Sequence, residues 1–63
     1  MAVVATIDPI KVLRIFDTWE DAQDYAKANP DHFLSASKHE TREQSITFAK
    51  YLQSMTPDYE IVE

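Results

Sequence analysis

Asp17, Glu20, Asp21 and Asp24 are the residues of this chain whose type and spacing come nearest to a chemical task. They fall at i, i+3, i+4 and i+7, so on one helix they form a row with neighbours about 5–6 Å apart. A row of carboxylates at that separation presents charge much as a nucleic-acid backbone presents phosphates. It would suit a basic groove on another protein. The plainer account is helix stabilisation, since acidic side chains in a first turn gain about 0.3–1 kcal/mol each from the macrodipole. Asp24 lies beyond that turn, where the dipole explains it less well.

Other chemistry finds little support. His39 and Glu43 stand four apart and His32 follows Asp31, but a metal site needs three or four converging ligands. No third ligand is placed beside either pair, so no metal and no cofactor is expected. Ser35, Ser37, Ser45 and Ser54 have no strand-turn-helix elbow around them, and no His–carboxylate pair is set by spacing. Nothing singles out one carboxylate as a raised-pKa acid. No catalytic residue is assigned, and a non-enzymatic protein is expected. Seven aromatic residues are many for so short a chain. Most should pack inside, with Tyr51 and Tyr59 the two expected at the surface as interface anchors, because Tyr brings area at little rotamer entropy.

Composition narrows the class further. Sixty-three residues make one domain, 1–63, with a thin core that buries only about 60% of the unfolded surface. Cysteine is absent, so neither a disulfide nor a thiolate site can staple it. Glycine is absent too, where average usage near 7% would supply about four. Phosphate-cradling loops rely on glycine for close backbone approach, so nucleotide motifs of that kind are excluded. Turns fall to Asp8-Pro9, Asn29-Pro30 and Thr56-Pro57 instead. Eleven acidic residues against six basic give a net charge of −5. Nucleic-acid affinity comes mostly from basic side chains, so such a chain starts at a disadvantage there. No apolar run of membrane-spanning length and no secretory segment is read, and a soluble, cytoplasmic protein is expected.

These residues must be positioned by short elements. Val3–Ile7 reads as an edge strand or a terminal arm, and Ile10–Phe16 as a central strand. A helix over Thr18–Asn29 has Asp17 as its N-cap and Trp19, Ala22, Tyr25 and Ala26 inward. Residues 31–37 read as a short strand. The longest apolar stripe, Phe48, Tyr51, Leu52 and Met55, lies in a helix over Thr41–Met55, extended by Ser45 and Ile46 with Ala49 on its margin. Thr41 and Gln44 form its capping box, and Pro57 marks its end. Residues 58–63 make a last strand. The order is β(β)αβαβ, an α+β domain with a three- to four-stranded sheet and two helices packed on one face.

The succession of an extended run, Thr18-Trp19-Glu20, a helix, Phe33 in a strand, and Thr41-Arg42-Glu43 opening a helix with Phe48 inside it resembles the hybrid-binding, viroplasmin-like domain of some ribonucleases H. The resemblance covers residues 10 to 52. It implies a three-stranded sheet with two helices and binding of RNA/DNA hybrids, with Trp19 at the family's helix-opening tryptophan and Phe33 in its following strand. Lys11, Arg14, Lys38 and Arg42 would then supply contacts alongside Trp19. That family carries glycines around its first hairpin and basic residues on its binding face. This chain has neither the glycines nor a positive balance.

The residues therefore point first to an acidic protein-interaction module whose partner has a basic surface. Such a module, of this size and charge, would suit a phage- or plasmid-type inhibitor that acts as a DNA mimic. A hybrid-binding domain is one alternative. A homodimer or other homo-oligomeric subunit that pairs an edge strand is the other.

Overall fold

Ala2–Asp8 carries apolar side chains at nearly every position instead of alternating, and a strand of that kind needs cover on both faces. In the computed structural model, which describes residues 1–63, this stretch is β1, an inner strand of a four-stranded sheet. Ala2, Val3, Val4, Ala5 and Ile7 are all buried. The expected edge strand or loose arm is thus the centre of the molecule. As an inner strand it also pairs its backbone on both sides, where an edge would leave one row of N–H and C=O groups unpaired.

Val12–Phe16 forms β2, antiparallel to β1, with Val3 opposite Phe16 and Thr6 opposite Leu13. Phe33–His39 forms β3, antiparallel to β1 on its other side, with Ala5 opposite Ala36. Glu60–Val62 forms β4, parallel to β2, with Leu13 opposite Ile61. The strand order is β3-β1-β2-β4, and the chain order with α1 (Trp19–Ala28) and α2 (Arg42–Met55) is ββαβαβ. This is a small α+β fold with a mixed sheet.

The helices lie on opposite faces, which corrects the expectation of both on one. Val3, Ala5 and Ile7 pack with Phe16 and with Ala22 and Tyr25 of α1. Val4 and Ile15 pack with Ala49, Ile46, Phe48 and Leu52 of α2. The helices do not touch each other. Topology explains why. The link from β2 through α1 to β3 and the link from β3 through α2 to β4 both join parallel strands, but they cross the sheet in opposite directions. Two crossovers of the same hand must then use opposite faces, and right-handed crossovers are the strong rule.

Local signals set the helix ends. The N-cap of α1 is Thr18, not Asp17: its Oγ1 accepts from the Asp21 N–H at 3.1 Å, and Asp17 stays outside the helix. Thr41 and Gln44 form the capping box of α2, and that helix stops at Met55, ahead of Thr56-Pro57. Its buried line is rotated from the expected stripe. Ser45 and Ala49 lie at the closest approach, while Tyr51 is 60% and Met55 58% exposed. Branched side chains already fill the sheet surface below, so small residues let the helix come down onto it. Ala22 does the same for α1. Trp19, expected as an inward anchor, is 37% exposed at the rim.

Strand β2 begins at Val12 and not at Ile10, because Ile10 and Lys11 belong to the turn after Asp8-Pro9. Lys11 has φ 55. In a chain without glycine the left-handed turn position falls on an ordinary residue, at a cost of about 1–2 kcal/mol.

Two neighbouring hydroxyls of α2 should respond oppositely to removal. Thr41→Ala should lower stability by about 0.5–2 kcal/mol in urea unfolding, because the helix loses its cap. The Ser45 Oγ is buried with no hydrogen-bond partner. Ser45→Ala should therefore be neutral or stabilising in the same measurement.

Candidate functional site

The outer surface of α1 holds the acidic row. Glu20 and Asp24 are one helical turn apart, Asp21 neighbours both, and all three are exposed on the side away from Ala22 and Tyr25. None of the three forms an ion pair or accepts a side-chain hydrogen bond. Asp17 differs. It lies before the helix and accepts from Arg42 Nη1 at 2.6 Å, a bridge between the starts of α1 and α2 across the end of the sheet. Both side chains are solvated, so the bridge contributes at most about 1 kcal/mol. The structure thus brings Glu20, Asp21 and Asp24 together, with Asp17 beside them but partly neutralised.

Tyr51 and Tyr59 do not join that row. Tyr51 projects from α2 on the other side of the sheet, 6.4 Å between ring centroids from Phe48. Tyr59 is half-buried just before β4, and its hydroxyl donates to Asp8 at the end of β1. That hydrogen bond, with a smaller part from burial, holds the phenol above its ordinary value of 10.0. Nearby, the Lys11 ammonium bonds Asp58 at 2.6 Å. The contact raises Lys11 above 10.5 and lowers Asp58 below 3.8. The four groups, Asp8, Tyr59, Lys11 and Asp58, close the β1–β2 turn against the chain leading into β4.

The basic residues are mostly engaged within the molecule. Lys11 pairs with Asp58 and Arg42 with Asp17. The Arg14 guanidinium carbon lies 5.5 Å from the Phe16 ring centre and 5.7 Å from that of Tyr25. The Lys38 ammonium sits 4.6 Å from the centre of the Trp19 ring, covering the exposed indole. Strand spacing was a usable signal for the Arg14–Phe16 contact, since i and i+2 share a face. The Lys38–Trp19 contact joins residues far apart in sequence and had no such signal.

The histidines are also partnered. His32 Nδ1 and the Tyr25 hydroxyl are 2.9 Å apart, and His39 Nε2 and the Ser37 Oγ 3.0 Å. They stand at opposite ends of β3, so the two candidates do not converge. Ser37 and His39 hold the two atoms of a nucleophile–base pair, a contact the sequence reasoning missed. In the triad pattern a third group orients the base, and the only side-chain hydrogen bond of His39 is the one to Ser37. The His39 ring packs at a tilt against Phe48, with 4.8 Å between centroids and 41° between planes. Beside it, a shallow groove runs between the end of β3 and α2, lined by His39, Phe48 and Tyr51 and rimmed by Glu43, Gln44 and Thr47.

Comparison with protein-family models, with curated proteins and with solved structures gives no match to this chain. No helix of it is long and apolar enough to cross a membrane.

The Tyr59 contact has a defined pH signature. A folded-state pKa above the unfolded one stabilises fully below about pH 10, and that contribution is lost as pH rises through the raised value. Ultraviolet titration should show one phenol ionising above the ordinary range. Tyr59→Phe should delete that component, and Asp8→Ala should move it down. For Asp58 the sign is reversed, so its contribution is lost as pH falls below about 3.8.

Proposed function

We propose that the chain is an acidic, non-enzymatic interaction module that binds a protein with a basic surface through the outer face of α1. The observation that carries this reading is an imbalance in how charges are used. Lys11, Arg14, Lys38 and Arg42 are committed to partners inside the molecule, while Glu20, Asp21 and Asp24 have none. Of the other two basic residues, Lys50 lies on α2 and Lys27 one turn beyond Asp24 on α1, so the outer face of α1 keeps three free carboxylates against one free ammonium. Complementary charge of this kind speeds encounter and selects the partner more than it adds raw affinity. The class of partner that fits best is a protein whose groove ordinarily takes the backbone of a nucleic acid. An inhibitor of phage or plasmid type, acting as a DNA mimic, would work in this way.

The same imbalance weighs against RNA/DNA-hybrid binding. The four basic residues that the resemblance would use are those already engaged. A phosphate backbone would have to compete with Asp17 and Asp58 for two of them.

Binding of a captured partner should fall steeply as salt rises, because exposed charges are screened within about 10 Å at 0.1 M. Glu20→Lys combined with Asp24→Lys should abolish binding while leaving stability within about 1 kcal/mol of the parent, since both sites are solvated. Binding that survives the double substitution unchanged would remove the proposal. A low-salt gel shift with RNA/DNA hybrid should show no complex.

A further inference from the structure

Strand β3 ends the sheet on one side, and no further strand covers its outer edge. A free edge is a template for pairing, which proteins usually block with charge, proline or a bulge. From Phe33 to His39 there is no proline and no acidic residue, and the one charge, Lys38, is drawn over the Trp19 ring. In a chain of net charge −5, this edge lets two copies approach without opposing carboxylates. Phe33 is 65% exposed at one end of the strand. At the other end, on the same face, lies the groove of His39, Phe48 and Tyr51.

We propose that the chain forms a two-fold symmetric homodimer by antiparallel pairing of β3 with β3 of a second copy, centred on Ala36. The register follows from the strand's self-complementarity. Ala36 stands opposite itself, Ser35 opposite Ser37, Leu34 opposite Lys38, and Phe33 opposite His39. Each copy's Phe33 ring then enters the other's groove beside the tilted His39–Phe48 pair, and the symmetry repeats the contact at both ends. One residue beyond the strand, His32 faces Glu40, so no like charges oppose. Moving the centre to Ser35 puts Phe33 opposite Ser37, short of the groove. Moving it to Ser37 puts Phe33 opposite Thr41, past the end of the strand. A shift by one residue would pair side chains from opposite faces. Thr41 also borders the groove, so the Ser37 register would bring Phe33 there too, but only the Ala36 register pairs all seven residues of β3 while filling the groove.

The dimer would be an eight-stranded sheet with both α2 helices on one face and both α1 helices on the other. It leaves the outer surface of α1 free and presents two acidic rows side by side. The β3 edge and the Phe33 groove that form this dimer are separate from those rows.

Sedimentation equilibrium of the full chain from about 1 μM to 1 mM should show a monomer–dimer equilibrium, as expected for an interface at the small end of the size range. Phe33→Lys, at an exposed position, should weaken the dimer about tenfold or more with an unchanged far-ultraviolet circular dichroism spectrum. The chain has no cysteine of its own. Mixing Ser35→Cys and Ser37→Cys chains under mild oxidation should therefore give the mixed disulfide in preference to either like pair. A monomer at every concentration, a dimer indifferent to Phe33→Lys, or cross-linking without preference for the mixed pair would each overturn the proposal.

Discussion

The alternation of side chains along β1 decides the rest of the architecture. Val3, Ala5 and Ile7 enter one core and Val4 the other. A strand that is apolar on both sides cannot be satisfied by a single layer of helix, so the chain must supply cover twice. It does so with two crossovers in opposite directions, and the opposed helices follow from their common hand. Only eleven of 63 residues are buried, so each core is about one line of contact thick. Small residues at the helix contacts, Ala22, Ser45 and Ala49, keep those lines tight. The larger rings are displaced to the rims, and the surface features of the molecule arise there.

Charge is arranged around the same frame. Both helices start at the same end of the sheet, where Arg42 and Asp17 link them, and Glu20, Asp21 and Glu43 occupy the two first turns. The macrodipoles favour those positions. Asp24 has no such reason, and it is the carboxylate that extends the row along α1. At the other end of the sheet, Lys11, Asp58, Asp8 and Tyr59 form a separate polar closure. Four of the six basic side chains are spent on aromatic faces and ion pairs within the fold, and Lys27 and Lys50 remain exposed on the helices. The solvent-facing remainder is accordingly acidic on α1 and nearly uncharged along the β3 edge.

Much of this frame was legible from local signals. The box of Thr41 and Gln44, the prolines at 30 and 57, and the apolar segments place both helices and three of the four strands within a residue or two, and leave Val3–Ile7 open between a strand and an arm. The faces were harder to read. A 3.6-residue stripe says that α2 has an apolar side, but not that a sheet of branched residues selects Ser45 and Ala49 over Tyr51 and Met55. Residues 1–8 carried the decisive clue, apolar side chains on both faces, yet their position at the start of the chain argued for an edge. Three carboxylates of the row were readable from spacing. The partner of Asp17 was not, because Arg42 is 25 residues away and meets it only through tertiary structure. The hydrogen bond from Tyr59 to Asp8, across 51 residues, was hidden for the same reason.

Adjacent residues of β1 feed two separate cores, and the whole architecture depends on that division. Methyl-detected nuclear Overhauser spectra of the full chain measure this most directly. Val3 and Ile7 methyls should show contacts to Ala22 and the Tyr25 ring, and Val4 methyls to Ala49 and Leu52. Contacts from Val4 to Tyr25, or between the side chains of α1 and those of α2, would place both helices on one face and contradict the account.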